Sequence, residues 1–298
     1  MLVGNKAYSD LIREFWGSFW NVKKPYVEIA RRLGVDEDTV RNRIKHLEDS
    51  GFLLGWRLVP NPILLARRYS YLLLEVKNQD FKEEIISRLK VKDGVISISI
   101  YNNNLLVTLF DDEEKKASRE ISKMGIRTHP PIVQQINVPQ TNLQMTPNDW
   151  KICKLLLRNA ESRMADVATE VKVSAKTVKR RLNKMMSSSA IFVMPMVSHR
   201  KAVGIPYHLM IQTEEGRKAE VELFVASRID NLVFRAADSK NGFLFIFTGS
   251  NIAEGKELIT LVNEHPGVKS AKLSIVEEVV YTFDWLEREI EERITTTR

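Results

Sequence analysis

Apolar residues recur at helical spacing in two separate stretches of the chain, and each stretch holds three helices in the same order. In the first, Leu11, Ile12, Phe15, Trp16 and Phe19 mark one side of a helix predicted over residues 9–19. Pro25 suits the opening turn of the next helix, because a proline there forfeits no intrahelical hydrogen bond. Ile29, Ala30 and Leu33 line its inner face, and Gly34 ends it by entering the left-handed region without a Cβ penalty. Asp36 or Asp38 caps a third helix, on which Val40, Ile44 and Leu47 point inward before Gly51 stops it. Residues 52–59, closed by Pro60-Asn61-Pro62, read as a short hairpin, or wing.

From Thr146-Pro147 the order repeats. Trp150, Ile152, Cys153, Leu155 and Leu156 belong to its first helix, and Val167, Ala168 and Val171 to its second. Ser174 caps the third, and residues 191–197, interrupted by Pro195, make a second wing. Ala30, Val35, Thr39, Val40, Arg43, Ile44 and Leu47 fall without a gap on Ala168, Val173, Thr177, Val178, Arg181, Leu182 and Met185, each 138 positions further on. Such a repeat decides how the rest is parsed. One position breaks the match. Lys172 stands where the first copy has Gly34, and a left-handed lysine costs about 1 kcal/mol, which predicts a distorted turn or a helix that runs on.

Each triplet leads into the order strand, helix, strand, strand, helix, strand. In the first half these are residues 69–76, 80–90, 95–100, 105–110, 113–124 and 132–138. In the second they are 207–213, 217–226, 232–236, 242–248, 252–265 and 268–280. Asn102–Asn104 and Ser239–Gly242 suit hairpin turns, since Asn and Gly tolerate positive φ. The predicted fold class is α+β: two winged helix-turn-helix domains, 1–66 and 141–201, alternate with two ferredoxin-like βαββαβ domains, 67–140 and 202–298. The last of these carries a C-terminal helix, with Phe283, Leu286, Ile290 and Ile294 on one side, that closes a sheet edge or binds a second chain. The strands are apolar on both faces: Ile96, Ile98 and Ile100 are assigned to one face, Leu105, Val107 and Leu109 oppose Leu106 and Phe110, and Phe243, Phe245 and Phe247 oppose Leu244 and Ile246. Two helices cover one face only, so the halves are expected to pair sheet to sheet as an intrachain pseudo-dimer. The alternative is an ordinary mixed core.

A net charge of +7 and a pI near 9.3 point weakly to polyanions. The placement of charge says more. Between Arg163 and Lys201 nine basic residues face only Asp166 and Glu170, whereas between Lys23 and Arg57 eight face six carboxylates. The single Cys153 excludes an internal disulfide and multi-cysteine clusters, and reads as a buried helical thiol. No run approaches the roughly eighteen apolar residues of a membrane span, and the amino terminus lacks signal-peptide blocks. A cytoplasmic, nucleoid-associated protein is expected.

The stretch from Tyr26 through Gly51, with Ile29-Ala-Arg-Arg-Leu-Gly-Val35 and Thr39-Val-Arg-Asn-Arg-Ile-Lys-His-Leu-Glu-Asp-Ser-Gly51, resembles the Lrp/AsnC, or feast/famine, family of prokaryotic regulators, archaeal ones in particular. With the downstream segment, twice over, the chain looks like two family units fused. The resemblance implies an amino-terminal winged helix-turn-helix, sheets paired between units, DNA binding and transcriptional regulation. Family members that sense amino acids carry Gly-x-x-Asp in the middle hairpin. Tyr101-Asn-Asn-Asn-Leu105 and Ser239-Lys-Asn-Gly-Phe243 lack the aspartate, which leaves any small-molecule effector unidentified.

In a helix-turn-helix the third helix enters the major groove while flanking groups clamp phosphates. On the second copy Thr177, Arg180 and Asn183 suit base edges, Lys176, Lys179 and Lys184 suit phosphates, and Arg181 bridges to the preceding helix. On the first, Arg41, Asn42 and Lys45 are the candidates, with Arg31, Arg32, Arg57 and His46 toward the backbone. Asp36, Glu37 and Asp38 weaken that copy, leaving it a weak, selective or structural element. Double-stranded DNA is the expected partner, with homodimerisation left open.

No enzyme activity, cofactor or metal is expected. His46, His129, His199, His208 and His265 form no short-spaced group, and His199 and His208 read as surface or interface residues. Gly249–Gly255 lacks a phosphate-loop pattern, and Asp111–Glu114 and Glu287–Glu292 read as solvated faces. Two alternatives stand beside DNA reading: a protein-docking or chromatin-like winged-helix role, and a sirohaem-decarboxylase-like enzyme. Members of that enzyme class are similar in architecture and hold tetrapyrrole carboxylates with His and Arg around the middle hairpin. Residues 97–107 contain neither, and Arg235 is a lone candidate.

Overall fold

The computed structural model describes residues 6–16, 26–76, 79–112, 116–123, 132–202, 204–229 and 232–296. Its elements in chain order are α1 (Lys6–Trp16), α2 (Tyr26–Leu33), α3 (Glu37–Asp49), β1 (Leu53–Pro60), β2 (Arg68–Glu75), α4 (Gln79–Lys90), β3 (Val95–Ile100), β4 (Asn104–Asp111), α5 (Lys116–Ser122) and β5 (Ile132–Gln135). The second half continues with α6 (Pro147–Arg158), α7 (Met164–Val171), α8 (Ala175–Ser187), β6 (Ile191–Val197), β7 (Ile205–Thr213), α9 (Lys218–Ala226), β8 (Leu232–Ser239), β9 (Gly242–Gly249), α10 (Ile252–Glu264), β10 (Val268–Ile275), β11 (Glu278–Tyr281) and α11 (Asp284–Thr296). The α+β class follows directly. The chain divides into two compact units that are not its two halves: Met1–Leu53 with Val197–Val279, and Leu54–Met196 with Val280–Arg298. Phe19 and His129, and the side chains of Phe15 and Trp16, lie outside the described residues.

In the first unit, α2 and α3 bury Ile29, Ala30, Val40, Ile44 and Leu47, and α1 lies against β8. Gly34 takes φ +65° and lets the Val35 amide reach back to the Ala30 carbonyl at 3.0 Å. Asp36, rather than Asp38, caps α3 by accepting from the Thr39 amide at 2.5 Å. The antiparallel sheet runs β10-β7-β9-β8. Leu209 and Ile211 of β7 and Phe243, Phe245 and Phe247 of β9 form its core with Val221 and Val225 of α9 and Leu258 and Val262 of α10. The glycines at both ends of Gly249–Gly255 are packing positions, since a Cβ at either would stand 2.9 or 2.8 Å from the Tyr207 ring.

His208 is not a surface residue, and His199 is half-buried. Their rings meet edge to face at 5.8 Å, and His208 is buried. Desolvation pushes His199 down to about 4 and His208 well below its usual range, so both are neutral imidazoles at pH 7.

In the second unit the sheet runs β11-β3-β4-β2-β5. Leu72 and Leu74 of β2 and Leu105, Val107 and Leu109 of β4 pack with Ile85, Ile86 and Leu89 of α4 and Ile121 of α5. The pairing of β3 with β4 shifts between Val95 and Ser97. That bulge puts Val95, Ile98 and Ile100 in the core cluster and leaves Ile96 out of it, correcting the single face assigned to Ile96, Ile98 and Ile100. Both middle hairpins are clasped by a lysine. Lys82 donates to the carbonyls of Tyr101 and Asn102 at 2.5 and 3.0 Å, and Lys218 to that of Ser239 at 2.6 Å.

Three further expectations change here. The wings are not separate hairpins: β1 and β6 pair with each other, and Asn61 secures the pair. Its buried amide side chain donates to the carbonyls of Pro139 and Ser189, both at 2.9 Å, while its backbone amide donates to Ala190 at 2.8 Å. The long strand over 268–280 is two strands. β10 ends as the Val276 amide bonds the Pro206 carbonyl, and β11 joins β3 in the other sheet, followed by a bond from the Thr282 amide to Ile96. Finally, the described residues of the acidic runs are not simple solvated faces, Glu113 and Glu114 lying outside them. Asp111 is buried and accepts from the Ala117 and Ser118 amides at the start of α5. On α11, Glu287 pairs with Arg158, Glu289 with Arg67 and Glu291 with Lys154.

The C-terminal helix thereby docks on α6 and the sheet. Trp285 is buried, donates to the Val95 carbonyl, and stands edge to face with Phe110 at 6.2 Å.

Candidate nucleic-acid interface

The second helix-turn-helix is built from behind. Trp150, Ile152, Cys153, Leu156 and Leu157 of α6 are buried, as are Val167, Ala168 and Val171 of α7. On α8 the inward positions are Val178, Leu182 and Met185, as the spacing of four and three required. Burial pushes the Cys153 thiol up, so it stays protonated, with its sulfur 3.9 Å from that of Met185.

The turn between α7 and α8 neither distorts nor extends the helix. Lys172 adopts the left-handed conformation, φ 60° and ψ 46°, and the Val173 amide donates to Ala168 at 3.0 Å. This is the same bond that Gly34 permits in the first copy. The cost of about 1 kcal/mol is borne to keep the turn, and it leaves the lysine exposed beside α8. Lys172 was not singled out as a surface candidate from sequence, although its place opposite Gly34 was the available signal. Ser174 caps α8, accepting from the Thr177 amide at 3.1 Å. Its hydroxyl also lies 2.9 Å from that of Thr177, so Thr177 shares in the cap.

Lys176, Lys179, Arg180, Asn183 and Lys184 are all exposed. The steps 176, 179–180 and 183–184 set them along one side of α8, away from the buried residues. Arg181 is different. It reaches past α7 to α6, donating to Thr146 Oγ1 at 2.8 Å and Asp149 Oδ1 at 3.0 Å. Thr146 and Asp149 are themselves a reciprocal capping box at the start of α6. The guanidinium therefore ties α8 to α6.

The first copy has the same backbone and a different surface. Arg41, Asn42 and Lys45 are exposed, but Arg41 is held by Glu37 at 2.7 Å and lies 5.3 Å over the Tyr26 ring. Arg32 is held by Glu28 at 3.0 Å and Glu14 at 3.5 Å. His46 rests 5.9 Å from the Tyr8 ring, and Arg57 donates to the Trp56 carbonyl at 3.3 Å. The Asp36 carboxyl is held below its usual range, chiefly by the hydrogen bond from the Thr39 amide, and so stays charged at the start of α3.

Elsewhere the chemistry is sparse. Among the described residues no group of three or more His, Cys, Asp or Glu could hold a metal ion. Arg235 lies on β8 opposite Phe245. No helix is long and apolar enough to cross a membrane among the described residues.

Residues 145–190 match the winged helix-turn-helix DNA-binding family. The transcriptional regulator Ptr1 of Methanocaldococcus jannaschii is 33% identical over 78 residues, which are 26% of this chain and 53% of that protein. LrpA of Pyrococcus horikoshii is 33% identical over 64 residues, 22% of this chain and 43% of LrpA. The matches thus span about half, or less, of these relatives' length. Among solved structures, the siroheme decarboxylase NirDL has a TM-score of 0.58 at 16% identity, covering 98% of this chain and 99% of its own. Its co-complex with an iron-uroporphyrin III analogue has a TM-score of 0.57 at 17% identity.

That likeness corrects the expectation that the chain is no enzyme. The fold extending over nearly its full length is one on which an enzyme, NirDL, is built. The expectation rested on the lack of a short-spaced histidine group, of a phosphate-loop pattern and, in one hairpin, of histidine and arginine, and a fold hosts chemistry at more than one place. Part of the chain, the winged helix-turn-helix, is related to the AsnC/Lrp-type regulators, while its α+β fold is shared end to end with a decarboxylase.

Proposed function

We propose that the chain binds double-stranded DNA sequence-specifically through α8 and acts in transcriptional regulation. The observation that carries this reading is the outward side of α8: Lys176, Lys179, Arg180, Asn183 and Lys184 exposed together on a helix without a carboxylate. Arg180 and Asn183 are the base-edge readers in this proposal, and Lys176, Lys179 and Lys184, joined by Lys172, contact phosphates. Arg41, Asn42 and Lys45 occupy the equivalent helix of the first copy, and any effector is left unspecified.

The proposal includes a fusion of two regulator units whose sheets pair within one chain in a nucleoid-associated protein. Support comes from the gapless repeat and from strands such as β4, buried at Leu105 through Asp111 regardless of face. A salt-dependent titration of the whole chain against selected promoter duplex and random duplex tests the reading. Tight, selective binding with a steep salt slope is expected. Equal weak binding to all duplexes would replace it with a chromatin-like role, and no binding with protein docking.

A second reading, sirohaem-decarboxylase-like chemistry on a tetrapyrrole, is favoured by the full-length likeness to NirDL, which speaks for the fold. The shielded imidazoles of His199 and His208 are groups able to move a proton. Anaerobic incubation with sirohaem tests it: a shifted absorbance band with loss of carboxylate supports this reading, and an unchanged spectrum removes it.

A further inference from the structure

We propose that α8 is the sole DNA-reading helix of the chain and that α3 stays out of the groove, so that one chain engages one half-site. This rests on the DNA-binding reading above and specifies its stoichiometry. Two copies of one motif would ordinarily suggest two readers. The side chains do not.

Across Asp36–Asp49 five carboxylates accompany three arginines and lysines, whereas Ser174–Ser187 holds five arginines and lysines and no carboxylate. Two cations of the first copy are also engaged. Arg41 is occupied by Glu37 and the Tyr26 ring, and Arg32 by Glu28 and Glu14. Presenting α3 to a phosphate backbone would bring Glu37 and Asp38, both exposed, and charged Asp36 toward like charge at the end of the helix that leads into the groove. Binding through lysine and arginine gains from counterion release, and a surface that is internally neutralised releases few.

The backbone supports the same division. Arg181 anchors α8 to the Thr146–Asp149 capping box, whereas the places equivalent to Thr146 and Asp149 in the first copy hold Tyr8 and Leu11, which offer Arg43 no carboxylate. A reader needs its helix held at a fixed angle, and α8 has this polar tie to α6. A palindromic operator would therefore take two chains.

The experiment uses the full-length chain and the duplex chosen by its own selective binding. Lys179→Ala with Lys184→Ala should lower affinity about 100-fold and reduce the salt slope by about 2, one for each phosphate-contacting cation removed. Arg41→Ala with Lys45→Ala should change affinity less than about two-fold and leave the slope alone. Titration at concentrations far above Kd should reach one chain per half-site duplex. A loss from the α3 pair comparable to that from the α8 pair overturns the inference while leaving DNA binding intact. Failure of the unaltered chain to bind any duplex removes the functional reading and the inference with it. Circular dichroism of each variant confirms that these exposed substitutions leave the fold in place.

Discussion

Gly34 and Lys172 occupy the same left-handed turn in two copies of one motif, and the comparison between those copies shows what the fold demands and what it leaves free. The turn, the cap from Asp36 or Ser174, and the inward residues Val40, Ile44, Leu47 and Val178, Leu182, Met185 are kept. Outward positions are not. One copy is internally paired and acidic, the other basic and open. Packing constrains the buried side because lost contacts and cavities are costly, while exposed charges cost little in stability and are free to diverge.

The comparison extends to the compact units, and substitutions can break it. The largest effect is expected at Trp285, which belongs to the unit containing α8 and has its indole buried against Phe110. Trp285→Ala should destabilise that unit by about 4 kcal/mol, seen as a urea transition that separates from that of the other unit.

Acid should reverse the order. In the first unit His208 is buried and His199 half-buried, desolvation keeps both neutral, and their counterparts 138 positions earlier are Asn61 and Ser70, which do not titrate. Because burial lowers the folded-state value of His199 to about 4, the unfolded chain binds the extra proton first as pH falls below about 6.5. Stability of the first unit is then lost between about pH 6.5 and 4, on the order of 3 kcal/mol for this residue. Urea midpoints measured across that range should fall for the first unit, and less steeply in His199→Asn. A flat profile would contradict the burial.

Asp149→Ala removes the carboxylate half of the α6 capping box and the carboxylate partner of Arg181, for an expected loss of about 2 kcal/mol and weaker DNA binding. Arg43→Ala, at the position equivalent to Arg181, should cost under about 1 kcal/mol in the same melts. The smallest effect tests the turn itself. Lys172→Gly should stabilise by about 1 kcal/mol and Gly34→Lys destabilise by a similar amount, measured as opposite shifts in Tm.

Much of this architecture is written locally. Helical periodicity located α2, α3, α7 and α8, and the alternation of apolar residues located β3 within 95–100 and β9 within 242–249. The exposed basic row on α8 was legible because a helix with Val178, Leu182 and Met185 inside must present Lys179, Arg180 and Asn183 outside. Arg181 was placed on a bridge to the preceding helix, but its partners are on α6, because the hydrogen bonds available to a long side chain depend on which helix comes near. Ile96 was assigned to the wrong face, since one extra residue in a strand changes its alternation without changing its composition.

Sequence alone determined the recurring helical pattern, the types of its elements and the sign of charge on α3 and α8. These depend on residues close together along the chain, where periodicity and propensity act. Only the tertiary structure decided that β1 pairs with β6, that β11 leaves its own half for the edge beside β3, and that the shielded imidazoles of His199 and His208 meet. A strand's apolar pattern states that it must be paired and buried but carries no address for its partner, so these choices await the collapsed chain.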